Sequence, residues 1–185
     1  MLEPMTRRQL RRFALAGALL VGGTVPLAAQ TAEQFYTGRN INLVLPYAPG
    51  DLCRLVGDVR VYPEFVPFLQ TMRVKKEEPR PDGGWAGIAE AEVGWQAIKV
   101  TFSTKVRCEP AKGEVDVTLV KGPLHALENR WRFAPHENGA LVRYWIAYEF
   151  KNPVLQAAIS ANKDKLAGRI MTAFEREASR RLASS

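Results

Sequence analysis

The sequence predicts an α+β domain in which a seven-stranded antiparallel sheet wraps around a long C-terminal helix, with two short helices after the first strand. Three observations predict it. Between residues 98 and 150, apolar and polar residues alternate in runs separated by turn-forming clusters, as in half-buried strands joined into a meander. After residue 152 the apolar spacing becomes helical. Between the first and second strands, Pro63 and Pro67 keep any helix short.

Each element follows from its own residues. Ile41, Leu43, Leu45 and Tyr47 alternate and predict a first strand over 41–47. Residues 51–60 and 63–68 read as the two short helices, and 69–77 with 85–93 as a hairpin across 79–84. In 98–108, Ile98, Val100, Phe102, Val106 and Cys108 share a face with Thr104, while Lys99, Thr101, Ser103, Lys105 and Arg107 take the other. Glu109-Pro-Ala-Lys-Gly113 is a turn. The strand over 114–120 turns Val115, Val117 and Leu119 inward, and 127–133 does the same with Leu127, Asn129, Trp131 and Phe133. A turn at 136–139 leads to Val142, Tyr144, Ile146, Tyr148 and Phe150 in the last strand, 142–150.

Asn152-Pro153 is a helix start, a capping side chain followed by proline at the first helical position. The helix then carries Leu155, Ile159, Leu166, Ile170, Phe174 and Leu182 as one apolar stripe. The place for such a helix is the concave face of the meander, a helix-grip arrangement. The lining of the space between sheet and helix falls to Phe102, Trp131, Phe133, Tyr144 and Tyr148 of the strands and Leu155, Ile159 and Ile170 of the helix. Tyr62-Pro-Glu-Phe-Val-Pro-Phe68 reads as a lid, with Phe65 and Phe68 offering apolar area beside rigid prolines.

Hydrophobic residues make up 46% of the 185 and charged residues 24%, ordinary globular material. The net charge of +7 includes +3 from residues 1–50, so the rest of the chain is only mildly basic. Cys53 and Cys108 have no Cys or His at ligand spacing and read as two buried, inert thiols. The two histidines, His125 and His136, fall near turns without a carboxylate at motif spacing, so no catalytic residue, metal site or covalent cofactor is expected.

Residues 1–29 read as a signal-like leader: Arg7, Arg8, Arg11 and Arg12 precede an apolar run and the small residues Ala28 and Ala29. Residues 30–40 read as a linker and 41–185 as the domain. The stretch to Gly50, ending Leu45-Pro-Tyr-Ala-Pro-Gly50, resembles the start of tripartite tricarboxylate transporter substrate-binding proteins, with Asp51 where a second glycine is usual. That resemblance covers about a quarter of the chain and stops there. The leader implies export to the periplasm.

The remainder carries a second resemblance. Leu55-Val-Gly-Asp-Val-Arg-Val-Tyr-Pro-Glu-Phe-Val-Pro67, Glu92-Val-Gly-Trp95, Phe102-Ser-Thr-Lys-Val106, Gly122-Pro-Leu-His-Ala-Leu-Glu-Asn-Arg-Trp-Arg-Phe133 and Ala173-Phe-Glu-Arg-Glu-Ala178 occur in order. Together they resemble the coenzyme Q-binding, START-like family, also grouped with polyketide cyclase/dehydrase-like proteins and including ribosome association toxins of the RatA type. The resemblance spans about 45–182. It implies a non-enzymatic carrier of ubiquinone or a related polyprenyl quinone, working at a membrane surface in support of respiration. On that reading Asn129, Thr104, Tyr144 and Tyr148 orient the quinone head group. The alternative it implies is a toxin acting on the large ribosomal subunit, and the second is a cyclase/dehydrase-type enzyme. The family setting implies the cytoplasm or the inner face of the membrane, against the leader.

The outward faces predict a charge ladder, with Lys105 and Arg107 beside Glu114 and Asp116, and Arg130 and Arg132 beyond. Acids interleaved among the bases disfavour a nucleic-acid face, and no DNA partner is expected.

Overall fold

The computed structural model describes residues 39–95 and 98–183; the leader and nearly all of the linker lie outside them. The strands are β1 (Arg39–Leu45), β2 (Leu69–Pro79), β3 (Trp85–Trp95), β4 (Ile98–Glu109), β5 (Glu114–Lys121), β6 (Leu124–His136) and β7 (Gly139–Phe150). They form one antiparallel sheet in the order β1-β7-β6-β5-β4-β3-β2, a meander whose first strand closes onto its last. The predicted strands are all present, several extended by two or three residues because alternation fades before the ladder does.

β1 ends at Leu45, two residues before its predicted limit, and α1 (Pro49–Gly57) follows. Pro49 occupies the first helical turn and Asp51 complements the positive helix start. α1 buries Leu52, Cys53, Leu55 and Val56 on the sheet and ends where the Trp85 indole Nε1 donates to Gly57 O at 2.9 Å. A 3₁₀ turn (Val59–Val61) and a single helical turn, α2 (Tyr62–Phe65), replace the predicted 63–68 helix. Pro67 explains the early stop, because it bars the helical conformation from Val66, which is extended at ψ 118°.

The single C-terminal helix expected from the sequence is two: α3 (Pro153–Ala161) and α4 (Lys163–Leu182). Asn152 Oδ1 caps α3 by accepting from the N–H groups of Val154 and Leu155 at 2.9 and 3.1 Å. Asn162 ends it, its amide Nδ2 donating to Ala158 O at 2.9 Å, while its own carbonyl accepts from Leu166 N to begin α4. The asparagine side chain offers the backbone a local alternative to a continuous helix.

α4 lies in the concavity of the sheet. Phe174 sits 4.9 Å from Trp131 between ring centroids and meets the rings of Tyr62 and Phe65 edge-on. The core runs from α1 through Trp131, Val142 and Tyr144 to Met171 and Phe174. On the convex face, Asp116 pairs with Arg107 at 2.5 Å and Arg132 at 2.7 Å, the predicted ladder. Lys105 is not part of it, since it stands opposite Thr118. Ser103, expected outside, is buried on that face beside Glu90 and Lys121 of the neighbouring strands.

A candidate lipid-binding cavity

Packing α3 and α4 across the curved sheet leaves a cavity of about 320 Å³. Its walls come from β2 to β7, the α2–β2 loop, α3 and α4. The lining grades from buried Val59, Val106, Trp131 and Phe174 at one end to exposed Ile98 and Lys163 at the other, so the cavity opens at the Ile98 end. The small side chains of Ala89 and Ala91 on β3 are fully buried, which lowers one wall of the sheet beneath the helix.

Nine predicted site residues meet in this space: Phe68, Phe102, Asn129, Trp131, Tyr144, Tyr148, Leu155, Ile159 and Ile170. Two do not. Phe133 lies past Trp131, its ring parallel at 6.2 Å, and fills the core beneath Leu52, Leu55 and Val56 of α1. Its inward parity was right, but the strand runs beyond the closed end of the cavity. Phe65 is drawn into a ring cluster with Tyr62 and Phe174, at 5.7 and 5.1 Å, so it braces the lid and leaves the lining to Val66, Pro67 and Phe68.

Sequence reasoning missed Met72 and Val93 of the β2–β3 hairpin, and Leu166 and Lys163 of α4. Alternation would have marked Val93, whereas a bulge between Leu69 and Thr71 obscures the phase at Met72.

Phe68 holds φ 72°, a left-handed conformation that costs a bulky residue strain. The N–H of Gly94 donates to its carbonyl at 2.8 Å, and the Arg169 guanidinium lies 5.9 Å from its ring centroid. The lid is thus clamped from both the sheet and α4.

Polar groups in the cavity are few: Thr104, Asn129, the hydroxyls of Tyr62, Tyr144 and Tyr148, and Lys163. The Tyr62 hydroxyl is spent on Val56 O. Burial pushes Tyr62 and Tyr144 well above the ordinary phenol range, so both stay protonated donors. Asn129 Oδ1 is buried without a partner. An unsatisfied carboxamide oxygen in an apolar wall is a costly feature that a hydrogen-bond donor on a ligand can relieve.

His125 and His136 are exposed and outside the cavity, and His136 Nδ1 accepts from Asn138 N at 3.2 Å. Among the described residues no three His, Cys, Asp or Glu side chains are grouped to hold a metal ion. No described helix is long and apolar enough to cross a membrane.

Residues 45–175 match the family described as polyketide cyclase / dehydrase and lipid transport. The chain belongs to that family. The chain is similar to the ribosome association toxin RatA of Rickettsia prowazekii, 24% identical over 138 residues, 73% of this chain and 91% of the toxin. It is also similar to the mitochondrial coenzyme Q-binding protein coq10 of Schizosaccharomyces pombe, 36% identical over 67 residues, 36% of this chain and 40% of that protein. The solved 18 kDa protein CC1736 from Caulobacter crescentus shares the fold with TM-score 0.64 and 35% identity, covering 80% of this chain and 99% of its own. Solved aromatase/cyclases share the START-like helix-grip fold alone, at 11–12% identity.

Proposed function

We propose that the protein holds ubiquinone or a related polyprenyl quinone in the cavity between sheet and helices, acting as a lipid chaperone in support of respiratory electron transport. The observation that carries this reading is an apolar cavity of about 320 Å³ broken by a few hydrogen-bond donors and by the unpartnered carboxamide oxygen of Asn129, an acceptor for the hydroxyl of the reduced quinol. That volume falls at the lower end of ordinary small-molecule sites, about 300–1,000 Å³. It suits a substituted ring and the first isoprene units, with a longer tail leaving through the mouth. Each buried methylene-sized group contributes about 0.8 kcal/mol, so tail burial supplies affinity without a catalytic group. The hydroxyls of Tyr144 and Tyr148 donate to the oxygens of the quinone ring, and Asn129 Oδ1 accepts from the hydroxyl of the quinol. Similarity to a coenzyme Q-binding protein supports the choice of ligand.

A second reading has its own support, because the RatA similarity runs over 73% of this chain. On that reading the protein binds the large ribosomal subunit. The interleaved acids of the convex ladder weigh against a ribosome-binding face there. A third reading, cyclase/dehydrase chemistry, is supported by the family description alone.

Organic extraction of the purified protein followed by lipid mass spectrometry tests the proposal. Quinone recovered in proportion to protein supports it. A protein free of quinone that also takes none from quinone-loaded vesicles overturns it, and binding to purified large ribosomal subunits by that protein would establish the second reading.

A further inference from the structure

The 185 residues hold two cysteines, and the fold brings them together. Cys53 stands on α1 and Cys108 on β4, yet their sulfurs are 3.9 Å apart. Both are buried free thiols in the structure. Their other polar neighbours are main-chain carbonyls, Glu114 O for Cys53 and Cys53 O for Cys108.

Two neighbours hold the sulfurs face to face. Gly57 follows Cys53 by one helical turn and so shares its side of α1. A Cβ there would fall 2.4 Å from Cys108 Sγ, so the bare glycine is what lets the last turn of α1 sit this close to β4. Trp85 stands opposite Cys108 in the β3–β4 register and donates from its indole to Gly57 O, tying the helix end beside the pair. A disulfide holds its sulfurs about 2.0 Å apart, so closure asks for an approach of about 1.9 Å. Rotation about a Cα–Cβ bond moves a sulfur further than that. The bond would staple α1, whose Leu52, Leu55 and Val56 fill the closed end of the cavity, to the sheet.

We propose that Cys53 and Cys108 form a disulfide site, closed by a small disulfide oxidant while the chain folds and then sealed, in whichever state was set, by the docking of α1. With glutathione disulfide as oxidant, one cysteine thiolate attacks a glutathione sulfur and releases the first glutathione thiolate. The second cysteine attacks the protein sulfur of that mixed disulfide and releases the other. Two protein thiols are oxidised, one glutathione disulfide is reduced to two thiols, and the two protons pass to the leaving sulfurs. A fully buried sulfur has no room for the glutathionyl intermediate, so exchange belongs to the chain before α1 seats. Surroundings that keep thiols reduced leave the pair open, and oxidising ones close it. The site is independent of what the cavity holds.

The reduced full chain is unfolded in urea and diluted into a mixture of oxidised and reduced glutathione, or into reduced glutathione alone. The folded fraction is alkylated in denaturant and its intact mass measured. The oxidising mixture is expected to give a monomer lighter by two hydrogens, without alkyl groups, whose digest links the peptides bearing residues 53 and 108. Reduced glutathione is expected to give two alkylated thiols. The bonded form should melt about 10 °C above the reduced one, because the bond restrains a long stretch of the unfolded chain. A second arm needs no refolding: folded reduced protein is held in the oxidising mixture in the cold and, separately, just below its melting temperature. It should stay reduced in the cold, where it seldom opens, and reach the bonded monomer when warm. Free thiols, a glutathione adduct or a disulfide-linked dimer after refolding or warm incubation overturns the site, as does a bond that lowers the melting temperature. Oxidation as fast in the cold as in the warm overturns the seal.

Discussion

The sulfurs of Cys53 and Cys108, 55 residues apart in sequence, lie 3.9 Å apart in the core. Cys53 Sγ donates to Glu114 O at 3.5 Å and Cys108 Sγ to Cys53 O at 3.7 Å, so the pair seats α1 on β4 and β5. Its position also fixes a neighbour: a Cβ on Gly57 would come within 2.4 Å of Cys108 Sγ. Hydrogen bonding to its partner and burial push the Cys53 thiol up, out of the reactive range. Both side chains are buried, so neither thiol of the native protein is expected to react with an aromatic disulfide reagent, and both are expected to react in denaturant. Rapid reaction without unfolding would show that the α1–sheet contact opens.

Trp131 touches Tyr144 at 4.3 Å and Phe174 at 4.9 Å between ring centroids and is 3% exposed. Trp131→Ala is expected to destabilise the protein by about 3–5 kcal/mol, measured by denaturant titration. Leu155→Trp, near the open end, should instead exclude ligand with little change in melting temperature. Normal quinone uptake by the Leu155 variant would place the ligand elsewhere.

Acid should weaken the convex ladder. Burial pushes the Asp116 carboxyl up, but hydrogen bonds from Arg107 and Arg132 outweigh it and hold the group below its ordinary value. Glu109, only 2% exposed, is likewise held low, chiefly by Lys112, with Arg107 and Arg80 adding to it. A carboxyl depressed in the folded state stabilises fully above its unfolded pKa, about 4, and loses that contribution as pH falls through the folded value. The melting temperature is expected to fall as pH drops below about 4, and Asp116→Asn to flatten that fall. An unchanged profile in the variant would assign acid sensitivity to another carboxylate.

β1 is an edge strand whose Ile41, Leu43 and Leu45 pack on the core against β7. A chain beginning at Asp51 loses it and uncovers the edge of β7. That chain is expected to aggregate or melt far below the full chain in scanning calorimetry. Equal stability would show that β1 is dispensable to the grip.

Phe68 lines the cavity with a strained left-handed backbone. Phe68→Gly should relieve the strain and leave stability within about 1 kcal/mol, since the relief offsets the lost ring contacts. Quinone exchange between protein and vesicles, followed by transfer kinetics, should accelerate. Unchanged exchange would assign the gate to α3.

The strands, the inward parity of Trp131, Tyr144 and Tyr148, and the Asn152 cap were legible in the sequence because each depends on a local period or a neighbouring side chain. The prolines at 63 and 67 marked the second helix as short, although the expected span of 63–68 ran past the actual stop at Phe65. Three features were not legible in the local patterns, two of them because tertiary packing decided them. The cavity stops at Trp131, excluding Phe133, because α1 fills the far end of the sheet, and no local pattern says how far a helix advances. Phe65 joins Tyr62 and Phe174 because α4 brings a ring to it from more than a hundred residues away. The break at Asn162 turns one expected helix into two, since an asparagine side chain can bond either water or the carbonyl behind it. Sequence thus determined which face each residue takes, while the three-dimensional packing decided which inward faces meet a solid core and which meet an opening.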